Sequence, residues 1–324
     1  GTKVIPASGI LRKNMAVSKN IEIAKEVLRL RQSQLIVNEK YKAGEFKIPI
    51  HLAIGHEAIA VAVDSVMSGN DQLVCSHRNI HYNLARTKAL KPILDEYFLK
   101  KEGLAHAELG SMNLANEERN VVYASSILGN NLPVATGLAL AQKVKGSNGL
   151  VIVQTGDGAI EEGAFYESLL FMKSNNLSVL VVVENNEWSM HTKIEERRAI
   201  IDLPKLAASL DVGYENLSGN NPYNYIERLQ EIKNRILDNQ TPTILEVSVT
   251  TLGGWYVEVE GKKEGRFIHP HAGPLPKTSL SDWPEIEHSV SDPVFALQEH
   301  FSSDELKKMA QEILKNIKEE INEP

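Results

Sequence analysis

The segment from Gly156 to Thr192 constrains the fold of this 324-residue chain more than any other part of its sequence. A β-branched run at 151–153 precedes Gly156-Asp157-Gly158, and a second apolar run at 179–183 precedes Asn185-Asn186. Short apolar runs of this kind suit buried parallel strands, so the order predicts strand, glycine turn, helix and strand. Because ligands of open α/β sheets bind at the carboxyl ends of the strands, both polar groups are expected at one edge.

Oxygen atoms at this edge are suited to a divalent cation. Asp157 and Asn186 offer the hard oxygen ligands that Mg²⁺ and Ca²⁺ prefer, rather than the ligands typical of zinc. The backbone N–H groups of Gly158 and Ala159 can add donors for a phosphate at the start of the following helix. An ordinary βαβ unit, with Asp and Asn as turn residues, is the alternative for a Gly-Asp-Gly motif taken alone.

The interval between the two motifs resembles that of thiamine-diphosphate-dependent enzymes. Residues 159 to 184 separate Gly158 from Asn185, which is 184 − 159 + 1 = 26 positions. In that family the aspartate, the second asparagine and a backbone carbonyl two residues later hold the metal that binds the cofactor's diphosphate. The resemblance therefore implies thiamine diphosphate and Mg²⁺ as cofactors, with the metal held by Asp157, Asn186 and the main chain of Trp188.

Composition narrows the function classes. The chain is 42% hydrophobic and 24% charged, with a formal net charge of −7, which is typical of a globular protein and gives no sign of nucleic-acid binding. No apolar run approaches the length of a membrane-spanning helix, so we expect no membrane association. The single cysteine, Cys75, excludes an intrachain disulfide and favours a reducing, cytoplasmic location.

Helical and strand patterns alternate along the chain, which predicts an α/β fold with a parallel sheet flanked by helices. The longest helix is expected at 17–44, with Asn20 as its cap and Gly44 at its end. We divide the chain into an N-terminal extension (1–16), an α/β domain (17–292, irregular from about 251) and a C-terminal helical tail (293–324). Further helices are expected at 55–66, 92–101, 130–144 and 303–320, and strands at 73–75 and 243–249.

The order of further motifs resembles the alpha subunit of the 2-oxo acid dehydrogenase decarboxylating component, over roughly residues 17 to 320. The resemblance implies the thiamine-diphosphate-binding fold, and within it the diphosphate-binding domain. The motifs are Gly55-His56-Glu57-Ala58, His77-Arg78, Gly110-Ser111-Met112-Asn113, Ile127-Leu128-Gly129 with Pro133, and Ser291-Asp292-Pro293-Val294.

Cofactor contacts also follow from this resemblance. Where the family has a Tyr-Arg pair on the diphosphate, His77 replaces the tyrosine and Arg78 remains. Arginine is well shaped for phosphate oxygens, although a surface salt bridge is the alternative for Arg78 considered alone. The segment from Ser126 to Leu128 matches one that lies beneath the aminopyrimidine ring. The full set of cofactor-binding candidates is His77, Arg78, Ser126, Leu128, Gly156, Asp157, Gly158, Ala159, Asn186, Trp188 and His271.

Two histidines are candidates for catalysis. The family's His-Gly-His-Ser-type loop is absent, and the sequence instead reads His269-Pro270-His271-Ala272-Gly273, a layout closer to the amino-terminal half of transketolases. His271 is the first choice for the active-site histidine and His269 the second, with exposed loop histidines as the alternative. His51 is the other candidate, since an imidazole suits proton transfer or a hydrogen bond to a developing oxyanion. A buried structural histidine is the alternative for His51.

Other polar residues carry less information. His81 and His106 belong to no motif, and His106 is expected in a loop. The charged residues Lys193, Arg197 and Arg198 are interpreted as a solvated turn after the Asn-Asn loop.

These features predict the alpha chain of a 2-oxo acid dehydrogenase-type decarboxylase acting on a small carbonyl compound. In the family, a glutamate on a separate pyrimidine-binding domain activates the cofactor, so we expect a beta subunit to supply it in an α2β2 heterotetramer. A lipoyl acyltransferase is a further candidate partner. The alternatives are the amino-terminal subunit of a two-chain transketolase-like enzyme and a non-catalytic phosphate-binding α/β module.

Overall fold

A six-stranded sheet lies at the centre of the computed structural model, which describes residues 7–322, with side chains from residue 18 onward except Lys262. Its strands are β1 (Gln72–Ser76), β2 (Val121–Ser125), β3 (Val151–Gly156), β4 (Val179–Asn185), β7 (Gly213–Leu217) and β8 (Thr243–Ser248). All neighbouring strands run parallel, in the order β2-β1-β3-β4-β8-β7. The predicted parallel α/β sheet is therefore confirmed.

Eleven helices are found in the described part of the chain: α1 (Ala7–Lys42), α2 (Glu57–Val66), α3 (Ile80–Thr87), α4 (Lys91–Tyr97), α5 (Asn131–Val144), α6 (Gly163–Ser174), α7 (Ile194–Arg197), α8 (Leu203–Leu210), α9 (Pro222–Asn239), α10 (Pro293–Ala296) and α11 (Ser303–Asn322). None of those described is both long and apolar enough to cross a membrane.

The predicted start of α1 was wrong, because the helix begins ten residues earlier and Asn20 lies within it. Gly44 does follow its end, with a positive φ of 73° that suits glycine.

Each face of the sheet has its own apolar core. On β3, Ile152 packs with α1, α2 and α9 on one face, whereas Val151 and Val153 pack with α5 and α6 on the other. Successive side chains of a strand point to opposite faces, so a strand covered on both sides must be apolar at every position. This explains the uninterrupted apolar runs in β3 and β4.

The carboxyl ends of β1 and β3 border the point where the strand order reverses. From β1 the chain passes to β2 on one side, and from β3 it passes to β4 on the other. A crevice forms at such a switch point, because the two connections leave in opposite directions. Arg78 follows β1 and Asp157 follows β3, so both residues border this crevice.

We had expected the segment from 251 to 292 to be irregular, and this prediction was wrong for part of it. It contains an antiparallel hairpin of β9 (Trp255–Val259) and β10 (Lys262–Ile268). The sequence carried a short signal for it, since Val257 and Val259 alternate with Glu258 and Glu260 before Gly261, whose φ of +81° suits the turn. A smaller hairpin joins β5 (Trp188–Ser189) to β6 (Thr192–Lys193).

A buried ion network links α1 and α2 to the segment that precedes α10. The Arg31 guanidinium donates to Glu57 Oε1 at 2.7 Å and to Asp292 Oδ1 at 2.8 Å, and all three side chains are fully buried. Asp292 also caps α10 by accepting from the N–H of Val294. The network therefore connects the predicted C-terminal tail to the α/β body. The division of the chain at residues 17 and 293 stays a prediction.

Candidate active site

A cleft of about 290 Å³ opens at the carboxyl edge of the sheet. All twelve of the first-choice site candidates named above line it: His51, His77, Arg78, Ser126, Leu128, Gly156, Asp157, Gly158, Ala159, Asn186, Trp188 and His271. They come from the ends of β1, β2, β3 and β4 and from two loops distant in sequence. The structure thus brings the candidates together, and their roles stay proposals.

Oxygen atoms from the ends of β3 and β4 meet at one side of the cleft. The backbone N–H of Asn186 donates to Asp157 Oδ1 at 3.3 Å, and the N–H of Trp188 donates to Asn186 Oδ1 at 3.1 Å. Asp157 is buried, and this burial raises the pKa of its carboxyl group despite the hydrogen bond from Arg197. A buried carboxylate beside amide and carbonyl oxygens is a donor set that fits Mg²⁺.

The charged turn after these oxygens is not simply solvated, so our interpretation of Arg197 and Arg198 was wrong. Arg197 Nη2 donates to Asp157 Oδ2 at 2.5 Å, and Nε donates to Glu161 Oε1 at 2.7 Å. Arg198 Nε reaches the same oxygen of Glu161 at 2.7 Å. These ion pairs hold α7 against the turn that follows β3, which a reading of local charge alone could not reveal.

Arg78 places a buried positive charge in the same cleft. Its guanidinium donates to the carbonyl of Leu52 and, at 3.3 Å, to the carbonyl of His271. Among the described side chains, no carboxylate lies within salt-bridge distance of it. Glu184 and Asp157 attract its charge from farther away, but burial outweighs them and lowers its pKa to about 10. A surface salt bridge is thus wrong for Arg78. A buried cation held only by carbonyls is well placed to bind an anion such as a phosphate.

Three histidines meet beside Arg78. The ring centroid of His51 lies 4.7 Å from that of His77 and 4.8 Å from that of His271. Burial, reinforced by the Arg78 charge, lowers their pKa values to about 2 for His51, about 3 for His77 and about 4 for His271. All three rings are therefore neutral at pH 7. His51 Nδ1 is buried and has no hydrogen-bond partner among the described residues, so it can bond to a ligand in the cleft.

His269 lies outside the cleft, although it was our second choice for the active-site histidine. Its ring stacks on Trp188, with centroids 4.9 Å apart and planes 9° from parallel, on the side of a neighbouring cavity. Between the two histidines, only His271 lines the cleft.

Sequence reasoning missed the role of a buried group that lines the same cleft. Glu184, the residue before the Asn-Asn pair, accepts from Tyr82 Oη at 2.6 Å and lies 2.5 Å from His56 Nδ1 and 3.1 Å from His81 Nε2. Burial opposes ionisation of Glu184, but its histidine contacts outweigh burial and hold its pKa well below the usual range. The available signal was a lone acidic residue that ends an otherwise apolar strand.

The lowered histidine pKa values predict acid sensitivity of the fold. In the unfolded chain a histidine takes up a proton near pH 6.5, whereas native His51 stays neutral at that pH. The unfolding free energy that this residue contributes above pH 6.5 is therefore lost as the pH falls below that value. Between pH 6 and 4.5, His51→Asn is expected to reduce the slope of the unfolding free energy against pH by up to about 1.4 kcal/mol per pH unit. Chemical denaturation at several pH values measures this slope. The exposed His288 serves as control, and an equal change in His288→Gln would contradict the assignment.

Comparison with known proteins agrees with this geometry. Residues 26–254 match the model of the dehydrogenase E1 component family. The chain is 30% identical over 286 residues to the pyruvate dehydrogenase E1 component subunit alpha of Rickettsia bellii, covering 84% of this chain and 87% of that protein. It is 31% identical over 228 residues to the pyruvate dehydrogenase E1 component subunit alpha of Rickettsia typhi, covering 70% of this chain and 70% of that protein.

Among solved structures, a thiamin diphosphate-dependent enzyme isolated from Mycobacterium smegmatis matches 64% of this chain and 34% of its own, at 15% identity and a TM-score of 0.42. That likeness is too distant to support an argument. The sequence matches confirm the predicted resemblance to alpha subunits of thiamine-diphosphate-dependent 2-oxo acid dehydrogenases, and with it the prediction of an enzyme chain. The chain belongs to the dehydrogenase E1 component family.

Proposed function

We propose that this chain is the Mg²⁺- and thiamine-diphosphate-binding alpha chain of a 2-oxo acid decarboxylase that acts with a beta subunit. The observation that carries the proposal is the presence, in one cleft, of an oxygen donor set at Asp157 and Asn186 together with the buried guanidinium of Arg78, which has no salt-bridge partner among the described side chains. A metal-bound diphosphate needs both, because oxygen ligands hold the cation and a guanidinium binds the phosphate oxygens.

Different residues of this chain would bind the metal and the diphosphate. Asp157, Asn186 and the main chain of Trp188 would hold the Mg²⁺, and Arg78 would bind the diphosphate. Gly158 adds a close backbone approach, since a Cβ there would lie 2.8 Å from Ser189 Oγ. The cofactor, when bound, supplies a carbanion that attacks a carbonyl and then takes up the electrons of the broken C–C bond.

The neutral histidines would act on the carbonyl compound. His51 and His271 line the same cleft as the cofactor candidates, and neutral imidazoles can donate a hydrogen bond to an oxygen that gains negative charge. Burial, reinforced by the charge of Arg78, lowers the pKa of both rings and keeps them neutral. We expect them to orient the substrate carbonyl and to hold a proton at the His51 ring.

Exposed apolar side chains at the mouth of the cleft support a partner subunit. Ile127 is 66% exposed, Leu128 44% and Met190 60%, and all three line the cleft. Exposed apolar groups that rim a polar site are typical of an interaction surface. A beta subunit that covers them would exclude water and supply the activating glutamate.

Co-purification tests this proposal. The chain would be co-expressed with its neighbouring gene product and titrated with thiamine diphosphate, with and without Mg²⁺. We expect binding that requires Mg²⁺, and decarboxylation of a 2-oxo acid only by the assembled pair. Turnover of ketose phosphates but not 2-oxo acids would favour the transketolase-like alternative. Failure of the assembled pair to bind the cofactor would favour the non-catalytic module. Full activity of the chain alone would contradict the two-chain arrangement.

Three finer expectations belong to the same proposal. An α2β2 assembly predicts a mass of two chains of each kind, which ultracentrifugation measures. A lipoyl acyltransferase partner predicts its recovery in a pull-down from the source cell. A cytoplasmic location is checked by cell fractionation.

A further inference from the structure

We propose that His56 and Thr251 are positioning residues that fix the side-chain amide of Asn186, so that its oxygen faces the cation site. The inference rests on the proposed function for what the Asn186 oxygen binds. The hydrogen-bond chain itself stands on contacts that link three buried side chains, those of Glu184, His56 and Thr251, to the half-buried Asn186.

The first link fixes the proton on His56. Glu184 can only accept from its neighbours: Tyr82 Oη donates to Oε1 at 2.6 Å, and His56 Nδ1 lies 2.5 Å from Oε2. His56 Nδ1 must therefore carry the hydrogen. Burial disfavours a second proton on this ring and lowers its pKa, so His56 Nε2 is left as an acceptor.

Two further hydrogen bonds, from Thr251 to His56 and from Asn186 to Thr251, follow from this placement of the proton. Thr251 Oγ1 lies 2.8 Å from His56 Nε2, so its hydroxyl must donate to that nitrogen. The same oxygen then accepts from Asn186 Nδ2, also at 2.8 Å. The Thr251 hydroxyl and the neutral His56 ring each donate once and accept once, the Asn186 amide nitrogen only donates, and the Glu184 carboxylate only accepts. The order Asn186 to Thr251 to His56 to Glu184 satisfies all four groups.

A separate hydrogen bond requires the same orientation of the Asn186 side-chain amide. The backbone N–H of Trp188 can only donate, and it lies 3.1 Å from Asn186 Oδ1. The contact with Trp188 thus identifies the amide oxygen of Asn186, and the contact with Thr251 identifies the amide nitrogen. Because Oδ1 has a second lone pair, it can also bind a cation. A flipped amide would lose both hydrogen bonds and present N–H groups to the metal.

The three groups belong to parts of the chain that only the fold brings together. His56 lies before α2, Asn186 follows β4, and Thr251 follows β8. His56 and Thr251 are both buried, at 1% and 5% exposure. A chain of buried hydrogen bonds behind a metal ligand keeps that ligand in one orientation, and its loss typically weakens metal affinity about 10- to 100-fold.

A matched pair of variants tests the positioning role. Thr251→Val removes the hydroxyl and keeps the branched shape, whereas Thr251→Ser keeps the hydroxyl. Mg²⁺ would be titrated by calorimetry into the assembled enzyme at saturating thiamine diphosphate. We expect Thr251→Val to weaken Mg²⁺ affinity about 10- to 100-fold, and Thr251→Ser to remain close to wild type.

Thermal unfolding without Mg²⁺ separates positioning from general stability. A purely structural role would lower the unfolding temperature of Thr251→Val without changing its Mg²⁺ affinity, and that result would overturn the proposal. Equal losses of affinity in both variants would overturn it too.

Histidine ¹⁵N NMR of the full chain tests the hydrogen-bond chain without any cofactor. We expect a protonated Nδ1 and an unprotonated Nε2 for His56, identified by loss of its signals in His56→Gln. The opposite tautomer would refute the series. If wild type shows this tautomer but binds no Mg²⁺ with thiamine diphosphate, the proposed function fails and the hydrogen-bond chain does not.

Discussion

Asp157→Asn is expected to weaken Mg²⁺-dependent binding of thiamine diphosphate by at least about 100-fold, since a direct ligand matters more than the outer contacts that cost 10- to 100-fold. The fold should be at least as stable as wild type. Burial raises the pKa of Asp157, so its ionised form opposes folding at neutral pH, and removing the charge removes that penalty. Calorimetric titration and thermal unfolding of the same sample measure both effects.

The ion pair of Asp157 with Arg197 is the competing explanation for such a loss. Arg197→Met removes the 2.5 Å contact and leaves the carboxylate in place. It should retain metal-dependent cofactor binding. A loss in Arg197→Met as large as that in Asp157→Asn would assign the effect to loop structure and would count against the metal site.

Arg31→Met is expected to lower the free energy of unfolding by about 3–5 kcal/mol. The substitution leaves the Glu57 and Asp292 carboxylates buried without their cation, while the apolar volume of the side chain is largely kept. Urea denaturation measures the change. Arg228 is the matched control, since its side chain is 42% exposed and pairs with Glu215 and Glu231 at the surface. Arg228→Met should cost no more than about 1 kcal/mol.

Neutralising the whole network should recover part of the loss from Arg31→Met. In the triple variant with Glu57→Gln and Asp292→Asn, no charge is left buried, and the asparagine can still cap α10. A triple variant less stable than Arg31→Met alone would show that the unpaired charges are not the cause.

The fold was predictable where periodicity was strong. Uninterrupted apolar runs in β3 and β4 predicted a sheet covered on both faces, and Gly44 predicted the end of α1. The start of α1 was missed because Asn20 is a good cap in isolation but lies in mid-helix here. The hairpin at 255–268 was missed because its alternation is confined to residues 257–260 and its second strand is largely charged, with Lys262, Lys263, Glu264 and Arg266.

The candidate site was predictable only in part. The twelve candidates that the structure places in the cleft follow strand ends or belong to segments that the family resemblance identified, and both are visible in sequence. Glu184, His56 and Arg197 were missed, since their roles depend on contacts between residues 40 to 128 positions apart. No local pattern encodes such pairs.

Sequence alone determined the class of fold, the family resemblance and the oxygen-rich loops, because strand order and residue type at strand ends follow from local pattern. Tertiary structure alone decided which polar groups face each other. It placed Arg78 beside carbonyls rather than a carboxylate, His271 rather than His269 in the cleft, and Thr251 between His56 and Asn186. The physical reason is that hydrogen-bond direction and burial are properties of pairs in space, and a pair exists only once the sheet has brought its members together.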